Sequence, residues 1–307
     1  VSLTFSRHLN SKIPAKYVWL LGNFDGLHKG HIALINHAKA IAQQSQSAVG
    51  LLSFHPHPRM VFDAEKKPIT IMQMPQKIRL LAQYGVDHYY AHPFNKDIAQ
   101  MSAHDFCQKL KQQLDPQHIV IGHDFHFGKN RTGTPHYLSD FCQNNNIGCT
   151  IIQPKMSPKN IRYASATMRE FLSQGNIDAL KQFMDHDYMI SGRVQHGKKL
   201  ARQLGFPTAN ILPQNLFLPK FGVYKVRVLN RDNRCAIANI GIKPTLNNQH
   251  TPLLEVHIPN FDDNLYGEKL HIAFDTFIRP EQKFTSLEAL KIQIKNDLKS
   301  IALENEM

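Results

Sequence analysis

The chain has 307 residues and an apolar share of 42%, enough for two domains with ordinary cores. No stretch approaches the length of a membrane span, and the first residues carry no long apolar segment, so neither a membrane anchor nor a secretory signal is expected. Lysine and arginine number 36 against 24 acidic residues, and a net charge of +12 attracts anions. There is no long Lys/Arg block and no aromatic–basic interleaving, which argues against nucleic acid and leaves nucleotides and phosphorylated small molecules. The four cysteines, Cys107, Cys142, Cys149 and Cys235, form no Cys-x-x-Cys pair, so neither a zinc ribbon nor a redox motif is indicated, and their sparse scatter fits a reducing cytoplasm.

In chain order, the first element is the apolar run Tyr17–Leu21, read as a buried strand. The glycine-rich turn Gly22-Asn23-Phe24-Asp25-Gly26-Leu27-His28-Lys29-Gly30-His31 follows, and residues 32–41 have a helical pattern. A helix start offers unpaired N–H groups and partial positive charge, so this order suits a phosphate. Gly22, Gly26 and Gly30 allow close backbone approach and positive φ. His28 and His31 lie three apart and can face one anion. The turn resembles the His-x-Gly-His signature of nucleotidylyltransferases. With eighteen histidines in the chain, two surface histidines at a helix end is the plain alternative.

Strand and helix patterns then alternate. Residues 47–54 read as a strand, 77–83 as a helix, 86–90 as a strand, 103–113 as a helix and 118–122 as a strand. Alternation of this kind predicts a parallel α/β sheet, whose ligands bind beyond the carboxyl ends of the strands. Gly22 and Gly122 would then share one rim. His55-Pro56-His57-Pro58-Arg59 lacks a third ligand at metal spacing and reads as a rigid loop shaping the site. The stretch from Gly122 to Gly133 is glycine-bounded and charged, and suggests a mobile loop that closes over a ligand. Its Asp124 could meet a ribose or Mg²⁺, or be an ordinary turn residue. Residues 162–170 open a helix that Ser165 can cap, with Arg169 projecting toward a phosphate or into solvent.

From Asp187 the texture becomes strand-rich, with runs at 188–197, 222–228, 234–240, 253–258 and 269–278 and one helix near 286–301. Short, closely spaced strands predict a small antiparallel β-barrel. Glu255 interrupts an apolar strand, so it is either on the wet face or functional. Pro207-Thr208-Ala209-Asn210 alone would be a simple turn. The segment 279–284 has no derivable role beyond a connector.

Taken together, Gly-Asn-Phe-Asp-Gly-x-His-x-Gly-His, His-Pro-Arg, Gly-x-Asp-Phe-x-Phe-Gly-x-x-Arg-x-Gly, Gly192-Arg193-Val194-x-His196-Gly197, and Gly205-Phe206-Pro207-Thr208-x-Asn210 with Glu255 resemble the prokaryotic bifunctional riboflavin kinase/FMN adenylyltransferase family. Five motifs in register are far more specific than one. The resemblance implies a Rossmann-like nucleotidylyltransferase domain over residues 1–186 and a flavokinase barrel over 187–307. It implies riboflavin, FMN and ATP as substrates, FAD as product and Mg²⁺ as cofactor, with no nucleic-acid partner and a monomer or weakly self-associating chain. By the same resemblance Glu255 is a base, and His28 and His31 are catalytic. Nucleotide contacts fall to Gly22, Asn23, Phe24, Asp25, Gly30, Asp124, Ser165, Arg169, Gly192, His196, Gly197 and Lys198. Flavin contacts fall to His57, Arg59, Phe125 and Asn239, and Mg²⁺ to Thr208 and Asn210. Where the family has Ser-Ser-Thr-x-x-Arg, this chain has Ala164, Ser165, Ala166, Thr167, Met168 and Arg169, and His126 stands where arginine is frequent. The lost hydroxyls motivate one alternative, a monofunctional riboflavin kinase with a weakened adenylyltransferase half.

Overall fold

The structure is a computed structural model that describes residues 3–8, 16–62, 68–196, 204–244, 250–261 and 263–303. It divides into two compact units, one of residues 1–70 and 74–165, the other of 71–73 and 166–307.

The first unit is a six-stranded parallel sheet with helices between its strands. Its elements are β1 (Thr4–Ser6), β2 (Tyr17–Leu21), α1 (Lys29–Gln44), β3 (Ala48–His55), α2 (Pro58–Phe62), α3 (Met74–Gln83), β4 (His88–Pro93), α4 (Lys96–Gln100), α5 (Ala103–Leu114), β5 (His118–Gly122), α6 (Pro135–Asn144) and β6 (Gly148–Ile152). The spatial order is β1-β4-β3-β2-β5-β6. Val18 to Leu21 and Ile119 to Ile121 are buried throughout. Continuous burial of this sort marks strands covered on both faces. Trp19, Leu21, Ile119 and Ile121 pack on Phe106 and Leu110 of α5 and Leu138 of α6. From β2 the chain proceeds outward through β3 to β4; it then returns to place β5 and β6 on the other flank of β2. Strand order therefore reverses between β2 and β5. That reversal is where open α/β sheets leave a crevice for ligands.

The second unit begins with α7 (Ser165–Gln174) and α8 (Ile177–Phe183), followed by β7 (Met189–Gln195), β8 (Ala209–Ile211), β9 (Gly222–Val228), β10 (Arg234–Pro244), β11 (His250–His257), β12 (Lys269–Pro280) and α9 (Leu287–Leu303). The strands close into a barrel in the order β10-β11-β8-β7-β12-β9, every pair antiparallel. The sequence alone places α7 and α8 with the sheet, in a domain ending at 186. By contact they lie with the barrel. The physical reason is what they touch: Phe171 of α7 meets Phe183 of α8 edge-on at 5.0 Å, the Lys220 backbone N–H donates to the Leu172 carbonyl at 2.8 Å, and α8 packs on β12. Tyr224, Val226, Ala238, Ile240, Leu254, Val256, Ile211 and Phe274 are buried and fill the barrel.

Candidate active sites

The first site forms at the carboxyl ends of β2 and β5. β2 ends at Leu21, and the Gly22 N–H donates to the Leu52 carbonyl at 3.1 Å, carrying the chain past the sheet rim. The turn then requires positive φ at Gly22 (+155°) and Gly26 (+81°), conformations costly for other residues. Gly30 has a different reason to be glycine: a Cβ there would sit 2.9 Å from His28 Nδ1 and 3.2 Å from Tyr163 Cβ.

His28 is the N-cap of α1, its Nδ1 accepting from the His31 N–H at 3.2 Å. Its ring stacks on that of His31 at 3.6 Å and 17°, and His31 stacks in turn on Phe24 at 4.7 Å. Burial, then the Arg162 charge, lowers the His28 pKa to about 4. Burial, then His28 and Lys77, holds His31 well below the usual imidazole value. Both rings are therefore neutral near pH 7. Since His28 Nδ1 accepts, its single proton resides on Nε2, which makes Nε2–H a fixed neutral donor. Two buried polar atoms here, His31 Nδ1 and Asn23 Oδ1, have no hydrogen-bond partner in the structure. An unpaired buried polar atom is costly, so each of these calls for a partner that the protein's own atoms do not supply.

Around this stack, the Asn23 amide lies 3.0 Å from His57 Nε2, and His57 Nδ1 accepts from the Arg59 N–H at 3.3 Å. The Asn23–His57 contact thus joins the motifs that follow β2 and β3. Asp124 forms an ion pair with Arg162, and the Ser165 hydroxyl donates to the Asp25 carbonyl at 2.8 Å. Ser165 is therefore the first residue of its helix and ties down the glycine-rich turn, whereas the sequence suggested a cap. Phe125 stacks with Phe127 at 5.5 Å. The Gly122–Gly133 stretch is a bonded turn: Phe127 and Gly133 exchange backbone hydrogen bonds, Lys129 N–H donates to the Met101 carbonyl, and residues 129–131 form a 3₁₀ turn. Arg169 lies on α7, within the second unit.

The second site is a row across the outer wall of the barrel. Register pairs Asn239 with Glu255, Glu255 with Asn210, and Asn210 with Gln195. Paired residues project to the same face of the sheet. Their neighbours Ala238, Ile240, Leu254, Val256, Ala209 and Ile211 are buried, so the polar row is the outward one. Asn210 is 8% exposed, and its Oδ1 has no hydrogen-bond partner in the structure. Thr208 precedes β8 by one residue, next to Pro207, whose carbonyl is 2.8 Å from His257 Nδ1. His196 stacks on Tyr266 at 3.9 Å. Gly192 lies inside β7, and a Cβ there would overlap Ile211, so packing accounts for this glycine. Gly197 and Lys198 lie outside the described residues.

Lys77 belongs to none of the sequence motifs. It is 8% exposed; its Nζ donates to the Asn23 carbonyl and stands 5.1 Å from the Tyr89 ring centroid. The signal was present: on α3 it shares the buried face with Leu80 and Leu81, at a spacing where a lysine has no packing reason to be. Arg162 shows in the sequence only as part of a helix start.

The described residues contain no cluster of three or more His, Cys, Asp or Glu able to hold a metal. None of their helices is long and apolar enough to cross a membrane.

Residues 10–167 match the family model for FAD synthetase, and residues 184–303 match that for riboflavin kinase. The bifunctional riboflavin kinase/FMN adenylyltransferase of Bacillus subtilis is 33% identical over 97% of this chain and 95% of its own length. The protein of the same name from Buchnera aphidicola is 36% identical over 95% of this chain and 94% of its own. A crystal structure of a macrolide-efflux protein from Streptococcus pneumoniae superposes with a TM-score of 0.84 at 25% identity, covering 97% of this chain and 98% of that one. With both family models matched in order and relatives of this identity spanning nearly its whole length, the chain belongs to the bifunctional riboflavin kinase/FMN adenylyltransferase family.

Proposed function

We propose that the chain makes FAD in two steps at two separate sites. The barrel transfers the γ-phosphoryl group of ATP to the primary hydroxyl of riboflavin, giving FMN and ADP. The sheet unit then lets an FMN phosphate oxygen attack the α-phosphorus of a second ATP, releasing pyrophosphate and forming FAD. The observation that carries this is the pair of unlike sites: a neutral imidazole stack at the β2/β5 reversal, and a polar row with one carboxylate, Glu255, on a closed barrel.

The two chemistries need different groups. A primary alcohol is a poor nucleophile, so phosphorylation calls for a base, and Glu255 is the acid of the barrel row. The FMN phosphate is already a nucleophile, so adenylyl transfer calls for alignment and charge stabilisation. There His28 Nε2–H and His31 donate to the ATP phosphates, with the α1 N-terminus and the backbone of Gly22 to Gly30 beside them. Asn23, Phe24, Asp25, Asp124 and Ser165 complete the nucleotide contacts, and His57, Arg59 and Phe125 take the flavin.

In the barrel, Asn239 lies next to Glu255 on the flavin side. The unpaired, buried Asn210 Oδ1 is a hard amide oxygen of the kind Mg²⁺ accepts, so Asn210 and the Thr208 hydroxyl fit as its protein ligands. When bound, Mg²⁺ neutralises charge on the phosphates being transferred. Few protein ligands are needed, because this ion usually keeps waters and substrate phosphates. The enzyme acts in the cytoplasm as a monomer or weak self-associate, with small molecules as its only substrates.

The test is chromatography of flavins after incubating purified protein with ATP and Mg²⁺. Riboflavin should yield FMN and then FAD, and added FMN should yield FAD. Absence of both products refutes the assignment; FMN without FAD leaves a kinase alone.

A further inference from the structure

Glu281 lies two residues beyond Arg279, in the segment that the sequence left without a role. Arg279 is clamped: its Nε donates to Asp297 Oδ1 at 3.0 Å and its Nη2 to Oδ2 at 2.8 Å, with Gln293 donating to the same Oδ1 at 2.9 Å. The Asp297 side chain is only 3% exposed, so this pairing fixes the end of β12 against α9. The clamp delivers the Glu281 carboxylate onto Gly241 of β10, where any Cβ would overlap it. There Glu281 Oε1 accepts from Asn239 Nδ2 at 3.4 Å. Asn239 is the register partner of Glu255.

An ionised carboxylate only accepts hydrogen bonds, so it dictates which end of a neighbouring amide faces it. With Nδ2 turned to Glu281, Asn239 presents Oδ1 elsewhere. Released from Glu281, the amide donor has another carboxylate one strand away, that of Glu255. An Nδ2–H···Oε bond there would occupy a lone pair that a base needs for the substrate proton.

Resting on the riboflavin kinase reading above, we propose that Glu281 is a positioning residue of the barrel site: it holds the Asn239 amide donor, keeps it off the Glu255 carboxylate, and leaves Asn239 Oδ1 to accept from a substrate hydroxyl. Gly241 is the glycine that this approach requires.

The experiment measures FMN formation from riboflavin in the full chain carrying Glu281→Gln, Gly241→Ala, Asn239→Ala, and the double change Asn239→Ala/Glu281→Gln. Glu281→Gln should lower kcat about 10-fold, since glutamine can accept or donate and no longer orients Asn239. Its KM for ATP and its rate of FAD formation from FMN should match the parent. Gly241→Ala, which displaces the carboxylate by a different route, should do the same. In the Asn239→Ala background, Glu281→Gln should add nothing, because the group through which it acts is gone. A merely structural Glu281 would instead give losses that multiply and a kcat that tracks melting temperature. Parent-like kcat in a folded Glu281→Gln, or multiplicative losses in the double variant, overturns the proposal. A parent chain that makes no FMN at all overturns the kinase reading itself, a result distinct from either.

Discussion

Gly30→Ala tests whether the imidazole stack, and not the fold around it, carries FAD formation. The added Cβ would lie 2.9 Å from His28 Nδ1 and 3.0 Å from its Cε1, with Tyr163 Cβ at 3.2 Å behind it. Ordinary contact begins near 3.4 Å, so the ring must retreat by 3.4 − 2.9 = 0.5 Å. It cannot retreat freely, because His31 is stacked on it at 3.6 Å. A misplacement of about 1 Å can cost about 100-fold in rate, so half that shift corresponds to about 10-fold. Stability moves little. Alanine in a helical turn gains about 0.5–1 kcal/mol over glycine, while weakening the His28 cap costs about 0.5–2 kcal/mol. The two nearly cancel, leaving melting within a few degrees of the parent. The assay is FAD formation from FMN and ATP, followed by chromatography, with riboflavin phosphorylation as the internal control. FAD formation should fall about 10-fold while FMN formation and melting hold. A Gly30→Ala protein that makes FAD at the parent rate would refute the role given to the stack.

Three further outcomes follow from the same geometry. Burial lowers the His28 pKa to about 4 from the ordinary 6.5, so the unfolded chain binds this proton first as pH falls. Its stabilising contribution is complete above pH 6.5 and is lost toward pH 4, roughly 3 kcal/mol in all. His28→Asn keeps an N-cap acceptor but removes the titration, so the loss of denaturation midpoint between pH 7.5 and pH 5 should shrink; an unchanged loss refutes the assignment. Glu255→Gln should slow FMN formation by about 10²–10⁴-fold and leave FAD formation from FMN intact, and equal loss of both activities in a folded protein would contradict the division of labour. Arg279→Ala strands the buried Asp297 carboxylate and should cost about 3–5 kcal/mol in urea denaturation, whereas a change under 1 kcal/mol would show that the pair is dispensable.

The sheet was legible because its strands are buried on both faces and so read as unbroken apolar runs, as in Tyr17–Leu21. The glycine-rich turn was legible because its glycines answer local needs. The barrel strands were legible by alternation, as in Gly222–Val228, where buried Val226 and Val228 flank half-exposed Arg227. Short elements carried too little pattern: β1 has three residues and α4 has five, and α6 and β6 went unread. The partners of individual side chains were not legible either. That Ser165 bonds to Asp25 across 140 residues, or that Glu281 meets Asn239, depends on tertiary approach, which no local spacing encodes. The same holds for α7 and α8. Their amphipathic pattern announces an apolar face but not which surface receives it.

The barrel's chemistry depends on an odd–even rule. Glu255 faces out because Leu254 and Val256 face in. Sliding β11 by a single position would drive a carboxylate into hydrocarbon and expel a leucine in its place. Activity and foldedness therefore share one integer, the count of residues between turn and strand. Insertions and deletions in descendants of this chain should accumulate in the loops and be purged from residues 250–257, even where each lost side chain could be replaced without harm.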